Sequence, residues 1–564
     1  MGKYFIGLST SGHDPAFAIV NEKGKVVFAE ASERFLQCKR AWGIAPDHID
    51  HVAPHIKKII KDDPYSNFFI STSWKKEKQS ISADNSTKQL KPSSLLVDSN
   101  IGEWMLGIQS QIHKNSGHNI KTIFESNIND KIMNFDHHLC HATNAVYSSP
   151  YDNALVLVSD GEGEVGALSL FHLKNRKLKR LWRSWGPGSL GTYYCWLTSL
   201  CGFDWIAGEE WKVMGLAAFG EPDLSLLEVL ETIIIFEDGR PIFADKATIL
   251  NVEKKLSKYV RKANEPVEKA SVLAATGQLA YEKFMNKILN NLKKYGEDNL
   301  ILSGGTALNS SYNGKIVKNT FFNNVHIPSA PADDGNAIGS ALLGWMEITE
   351  NKEIPFFSET CYLGTLPDLN VINNTVLKSK WNTHSLSNNS YKIIAEELAK
   401  GKIIGIFRGA AEFGPRALGH RSILADPRSK KMKDLINKEV KGRESYRPFA
   451  PIVLEEYQNE WFEDSIDSPF MSFTFQYKTD KVNLVPAVVH EDNTGRVQTI
   501  NKNRDPWLYS LIKEFNRITG VPIILNTSFN IMGKPIVHSV QDAVAVFGTT
   551  GLDGLLMEDI YFEK

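Results

Sequence analysis

Two histidines four residues apart, His137 and His141 in DHHLCHA, carry the sharpest chemical signal in the chain. If the segment is helical, residues i and i+4 face the same way, which suits two imidazoles on one metal ion. Three of the fifteen histidines fall within these five residues, which weighs against solvated or core imidazoles. His138 then points elsewhere and Cys140 packs. Two imidazoles need further ligands, and turn logic offers two carboxylates. One is Asp160, at a strand end in SDGEGE, and the other is Asp334, in PADDGNAIGSALL. Each alone is also an ordinary turn or N-cap aspartate. Together the four suit a divalent cation of the iron, manganese or zinc kind.

A second constellation lies towards the C-terminus, in RGAAEFGPRALGHRSILADPR and KGRESYRPFAPIV. Arg408, Arg416, Arg421, Arg428, Lys441, Arg443 and Arg447 are interleaved there with glycine, proline and apolar residues. Guanidinium groups held this way suit bidentate recognition of phosphate or carboxylate. The alternative is a set of structural ion pairs with Glu412, Asp426 and Glu444. Downstream, Arg496 and the strand-end residues Asn526, Thr527, Ser528 and Asn530 add polar groups where ligands sit in open α/β sheets.

Other positions are ambiguous. His13-Asp14 reads equally as a base with its orienter and as a hydrogen-bonded turn. Gly208 to Lys212 either contacts a nucleotide or caps a helix. Ser303-Gly304-Gly305 follows a buried strand, where backbone can approach a nucleotide. There is no Walker A sequence and no G-x-G-x-x-G spacing.

The elements that must position these residues are legible in outline. Strands are expected at Tyr4 to Leu8, Ala16 to Val20 and Val26 to Ala29. The same grammar returns at Leu155 to Val158 and Ala167 to Phe171, which implies a duplicated fold with facing halves. An amphipathic segment, Glu268 to Tyr295, leads into a strand at Leu300 to Leu302. Residues 73 to 98 read as a polar surface loop. After about residue 385 the pattern is that of a compact α/β unit, with a helix at Tyr391 to Lys400 and strands at Ile403 to Phe407 and Val521 to Leu525. We place a domain boundary near 355, giving 1–355 and 356–564.

A chain of 564 residues exceeds the size of a single core, so several domains are expected. Lys+Arg 64 against Asp+Glu 65 leaves a net charge of -1, without the basic excess that drives phosphate-backbone binding, so no nucleic-acid partner is expected. Five cysteines without a C-x-x-C pair point to a reducing compartment, and no apolar run suggests a membrane partner. The expectation is a cytoplasmic protein.

The stretches SGHDPAFAIV, EASERFLQCKR, DHHLCHA, SDGEGE, GEEWKVMGLAAFG, LSGGTALN, PADDGNAIGSALL, EFGPRALGHRSILADPR, KGRESYRPFAP, TGRVQT and LNTSFNIMGKPIV occur in order from about residue 5 to 560. In these the chain resembles the O-carbamoyltransferases of the nodulation and antibiotic-tailoring type. The resemblance implies an actin-like duplicated N-terminal domain, of the kind that transfers threonylcarbamoyl to tRNA, and a C-terminal YrdC-like α/β domain. It implies that the C-terminal domain makes carbamoyl adenylate from carbamoyl phosphate and ATP, with magnesium accompanying the nucleotide. The N-terminal domain, with bound iron(II), then passes the carbamoyl group to a hydroxyl of a small natural product or sugar-like acceptor. By motif match the metal ligands are His137, His141, Asp160 and Asp334. Adenylate contacts in the first domain are Gly208, Lys212, Ser303, Gly304, Gly305 and Asn309. Arg416, Lys441, Arg447, Arg496, Asn526 and Ser528 hold carbamoyl phosphate and ATP in the second. His13 is the candidate base, with Lys39 as its charge partner. His420 stands where the family more often has asparagine. Two alternatives stay open: a tRNA-modifying enzyme of the threonylcarbamoyl type, and a nucleotide-binding protein without catalysis.

Overall fold

Residues 2–75, 99–184, 188–357, 361–444 and 446–564 are described by the computed structural model; the loop expected at 73 to 98 lies outside them from residue 76. The N-terminal apolar runs form β1 (Lys3–Leu8), β2 (Ala16–Asn21), β3 (Val26–Ala31), β4 (Asn67–Thr72) and β5 (Ile128–Asn134). β1 is covered on both faces, which explains its nearly continuous apolar character. On one face Ile6, Leu8, Phe17 and Ile70 bury themselves with Val52 and Ile56 of the helix Ile49–Asp62. On the other, the helix Asn336–Thr349 comes so close that a Cβ at Gly7 would stand 2.0 Å from the Ala337 carbonyl.

The next sheet repeats this plan. It contains β6 (Ala154–Gly163), β7 (Gly166–Lys174), β8 (Lys177–Arg183) and, after a small hairpin of β9 (Ile234–Glu237) and β10 (Arg240–Phe243), β11 (Asn299–Ser303) and β12 (Asn324–His326). The first sheet runs β3-β2-β1-β4-β5 and the second β12-β11-β6-β7-β8. In each, the first strand pairs antiparallel with the second and parallel with the fourth. The strand-turn-strand grammar of the sequence is therefore one topology used twice. Where a turn was expected at Ser159 to Glu164, β6 continues to Gly163, but its ladder with β7 breaks between Ser159 and Gly163. Such a bulge re-aims the side chains beside it.

The chain divides into two compact units: Met1–Glu33 with Arg40–Asn309 and Ile316–Ser358, and Arg34–Lys39 with Ser310–Lys315 and Glu359–Lys564. The second is built on a mixed nine-stranded sheet of β13 (Asn382–Ser385), β14 (Ile404–Phe407), β15 (Arg421–Ala425), β16 (Ala450–Leu454), β17 (Phe473–Gln476), β18 (Thr494–Ile500), β19 (Ile523–Ser528), β20 (Gly554–Met557) and β21 (Ile560–Glu563). Their order is β13-β21-β20-β14-β15-β19-β16-β18-β17. The expected helix at Tyr391 to Lys400 forms at Ser390–Ala399 and packs on Pro506–Thr519. Among the described residues, no helix is long and apolar enough to cross a membrane.

Candidate functional site

The helix His137–Ser148 starts at Asp136, whose side chain accepts from the Leu139 N–H at 2.9 Å. Both oxygens of buried Glu164 accept from the His137 N–H at 3.1 Å, placing a second carboxylate at the positive end of the helix. Helical spacing then sets His137 and His141 on one wholly buried face, while His138 turns away to Ser169 Oγ at 2.9 Å and Cys140 packs inside.

The His137 and His141 Nε2 atoms lie 3.3 Å apart. Asp160 Oδ2 is 3.1 Å from the first and 3.4 Å from the second, and Asp333 Oδ1 is 3.6 and 3.3 Å from them. Nitrogen ligands at about 2.0–2.1 Å on a tetrahedral ion stand roughly 3.3 Å from one another, so these separations have the edge length of one shared cation. The donor set, two imidazoles and two carboxylates, fits a divalent ion of intermediate softness. Burial alone would make His137 harder to charge, but the charge of Asp333 and the bond to Asp160 hold its pKa well above the usual value. Burial likewise opposes ionisation of Asp333, and the histidines hold it well below the usual carboxylate range.

The expected fourth ligand, Asp334, is not in this group; its neighbour Asp333 is. The two residues open a 3-10 turn, Asp333–Gly335, and consecutive side chains there diverge. Asp334 instead accepts from the Gly335 N–H at 3.0 Å, and burial followed by the charge of Asp14 pushes its carboxyl up to about 7. Behind His137, the Asn336 amide nitrogen faces Nδ1 at 3.2 Å while its Oδ1 is buried without a partner. Turned over, that amide would accept from Nδ1–H and leave the Nε2 lone pair for a metal.

His13 lies at the edge of this group, with Nδ1 2.8 Å from Asp14 Oδ2 and 3.7 Å from Asp333 Oδ2. Lys39, the expected charge partner of His13, falls in the second unit, where its charge acts on Lys441. The cation beside His13 is Arg40, 3.4 Å from Asp14 Oδ2. A positive φ of 57° at Arg40 redirects the chain at this step, and neighbouring basic residues in a sequence give no sign of such a turn.

The glycine turn after β11 anchors Asp160. Gly305 N–H donates to Asp160 Oδ1 at 2.8 Å, and Gly304 sits at φ 91° where a Cβ would meet the Ser159 carbonyl at 2.2 Å. Ser303 donates to the Pro331 carbonyl at 3.3 Å, and Asn309 exchanges hydrogen bonds with Gln278 at 3.0 and 3.2 Å. Gly208 packs on the Arg40 side chain, and Lys212 pairs with Glu209 at 2.6 Å.

The arginines of the second unit separate into two sets. Arg428 clamps Asp426, Arg408 reaches Asp505 at 3.1 Å, and buried Arg421 donates to the Arg408, His420 and Thr365 carbonyls. His420 stacks on Tyr362 at 3.6 Å and faces Asp505 at 3.2 Å. These are structural partnerships. By contrast, none of Arg416, Arg443, Arg496 and Lys441 forms an ion pair with a described residue. Burial lowers the pKa of Arg416 to about 10, and burial together with Arg447 lowers that of Arg443 to about 9. Arg496 is held low by burial and by the charges of Arg416 and Arg443, and its Nε is buried without a partner. Lys441 is held low by burial and by Arg443, Arg447 and Lys39, while its amine donates to Ser528 and to Asn530 Oδ1 at 2.7 Å. Asn437 ties this side together, accepting from Arg443 at 2.7 Å and donating to the Arg447 carbonyl at 3.3 Å, and Arg447 also lies 3.4 Å from Glu444. Asn526 donates to the Ala417 carbonyl, next to Arg416, at 3.0 Å. Crowded cations with few acids cost free energy that an anion offsets.

Comparison with known proteins agrees on one family. The model described as "Carbamoyltransferase N-terminus" matches residues 4–342, and "Carbamoyltransferase C-terminus" matches 395–564. An uncharacterized protein of Synechocystis, sll1178, is 30% identical over 610 residues, covering 100% of this chain and 97% of its own. The nodulation protein NolNO of Sinorhizobium fredii is 36% identical over 450 residues, covering 77% of this chain and 64% of its own. NolO of Bradyrhizobium diazoefficiens is 35% identical over 450 residues, covering 76% and 79%.

Proposed function

The chain belongs to the carbamoyltransferase family and is a carbamoyltransferase, and from that premise we propose that it carbamoylates a hydroxyl of a small molecule at the expense of carbamoyl phosphate and ATP. The observation that carries this reading is the coexistence of two differently built centres, an imidazole-carboxylate group in the first unit and, in the second, the buried cations Arg416, Lys441, Arg443 and Arg496, which form no ion pair with a described residue.

The second unit is suited to making the activated carbamoyl group. Carbamoyl phosphate first loses inorganic phosphate to water, since otherwise the atoms do not balance. A carbamate oxygen then attacks the α-phosphorus of ATP, and the bond to pyrophosphate breaks, leaving carbamoyl adenylate. Every participant is anionic, so preorganised Arg416, Lys441, Arg443, Arg447 and Arg496 neutralise charge that grows on the leaving pyrophosphate.

Transfer belongs to the first unit. The chemistry available from a divalent ion held by His137, His141, Asp160 and Asp333, iron(II) on the resemblance, is Lewis-acid polarisation of the carbamoyl or phosphate oxygen. His13, oriented by Asp14, accepts the hydroxyl proton as the new O–C bond forms and AMP departs. Gly304 and Gly305 form the turn that fixes Asp160, and the adenylate phosphate would lie beside it.

The test is direct: incubate the full chain with ATP, magnesium, iron(II) and carbamoyl phosphate, and follow pyrophosphate release and the added carbamoyl mass on hydroxylated metabolites. Pyrophosphate release that does not depend on carbamoyl phosphate would sink the proposal.

A further inference from the structure

Arg34 and Glu412 are both almost wholly buried, at 2% and 1% exposure, and a buried charge on either is costly unless it is paired. Arg34 opens the short segment Arg34–Lys39 of the second unit, which Gln37 anchors by donating to the Arg34 carbonyl at 2.8 Å and to the Ile536 carbonyl at 3.1 Å. The guanidinium is divided between two tasks. Nη2 donates to the Gly414 carbonyl at 2.7 Å, and Nη1, which makes no hydrogen bond, lies 3.9 Å from Glu412 Oε2, which makes none either.

The other oxygen of Glu412 gathers a loop. Oε1 accepts from the N–H groups of Leu418 and His420 at 2.8 Å and of Arg421 at 3.0 Å, so one carboxylate closes the turn from residue 412 to residue 421. Charge-assisted bonds are the stronger ones, and three on one oxygen leave the loop little freedom. Within it, Arg416 lies between two carbonyls that side chains hold from outside, Gly414 by Arg34 and Ala417 by Asn526 at 3.0 Å. Gly414 sits at φ 119°, a conformation that other residues rarely adopt, and the chain bends there just before Pro415 and Arg416. Arg416 forms no ion pair with a described residue, so its place is set through the backbone.

Resting on the reading of the second unit as the centre that charges the carbamoyl group, we propose that Arg34 and Glu412 are positioning residues, which hold the loop 412–421 so that Arg416 is preset for the departing pyrophosphate. Both act through Arg416. Arg34 and Gly414 are 380 residues apart, so neither stretch of sequence signals the other. A lysine carries one nitrogen and reaches either Gly414 or Glu412, so Arg34→Lys keeps only part of the arrangement. Glu412→Gln keeps an oxygen for the three N–H groups but loses the charge that faces Arg34.

Two measurements on the full chain test this: hydrogen exchange read by mass spectrometry, and calorimetric titration with inorganic pyrophosphate. Arg34→Met is expected to speed exchange in peptides covering 412–421 about tenfold, as loss of one charge-assisted hydrogen bond does, with Arg34→Lys and Glu412→Gln in between and peptides covering 299–309 unchanged. Pyrophosphate affinity should fall about tenfold in Arg34→Met, but by less than about twofold when Arg416 is already alanine, since Arg34 acts through Arg416. A merely structural role would lower it equally in both backgrounds. Native exchange across 412–421 in Arg34→Met, or the same loss of affinity in the Arg416→Ala chain, overturns the proposal. If Arg34→Met does not fold, Arg34→Lys makes the same comparison at smaller amplitude. Native affinity in Arg416→Ala alone sinks the reading of the cluster as the pyrophosphate site and leaves the exchange rates to judge the loop, so the two failures are distinct.

Discussion

Asp333 Oδ1 lies 3.3 Å from His141 Nε2, whereas the side chain of the next residue, Asp334, turns back to its own Gly335 N–H. Asp333→Asn should therefore remove a metal ligand and lower manganese(II) affinity by more than the roughly 10- to 100-fold typical of a supporting residue. Asp334→Asn should stay within a few fold of native. Calorimetric titration of both variants decides it, and the reverse order would move the ligand role back to Asp334.

Asn336 supports His137 from behind, at 3.2 Å, with a buried carbonyl oxygen that finds no partner. If that oxygen fixes the ligating tautomer, Asn336→Leu should weaken manganese(II) binding about 10- to 100-fold without touching the four ligands. Binding at native affinity would show that the amide plays no part.

Much of this was legible beforehand, for identifiable reasons. The DHHLCHA helix announces itself because i, i+4 spacing holds wherever the backbone is regular, and the two hairpins betray a repeated topology because strand and turn residues differ in kind. Irregular backbone hides the rest. In a 3-10 turn either of two adjacent aspartates can face inward, and the left-handed step at Arg40 brings Arg40, for which the sequence suggested no role, beside Asp14 and His13. Nor does spacing separate Arg416 and Arg496 from Arg421, because the Thr365 carbonyl that makes Arg421 structural is distant in sequence, whereas Arg428 pairs with Asp426 only two residues away.

The two centres should fail separately. His137→Ala is expected to abolish carbamoyl transfer while leaving carbamoyl-dependent pyrophosphate release near native. Arg496→Ala should suppress pyrophosphate release by about 10²-fold or more, as loss of one preorganised charge does elsewhere. Equal loss of both activities in either variant would contradict the division of labour.

Lys441 makes the second centre sensitive to pH. Burial and the charges of Arg443, Arg447 and Lys39 hold its amine well below the ordinary lysine value. A bound polyanion favours the charged amine, so pyrophosphate binding should take up protons and weaken as pH rises towards about 10.4. Stability without ligand has the opposite slope. Between the depressed folded value and the ordinary unfolded one, the unfolded chain binds the extra proton, so stability rises with pH across that window. Lys441→Met should flatten both slopes, and calorimetry in buffers of different ionisation enthalpy reads the proton uptake.

Gly304 and Gly305 are adjacent but should respond differently to alanine. At Gly304 the new Cβ meets the Ser159 carbonyl at 2.2 Å, and φ is 91°. That carbonyl belongs to β6, which is paired with β11 through Val158 and Ser303, so it has little room to retreat. Strain and overpacking together should cost about 2 to 4 kcal/mol, read by chemical denaturation. At Gly305 φ is not in the left-handed range, and the new Cβ meets only the Asp160 carboxylate, at 3.0 Å. Gly305→Ala should hold its stability to within about 1 kcal/mol, as a surface-like change does, yet weaken manganese(II) binding because Asp160 is pushed off its anchor. Equal stability of the two variants would show that the turn yields more readily than its contacts with β6 imply.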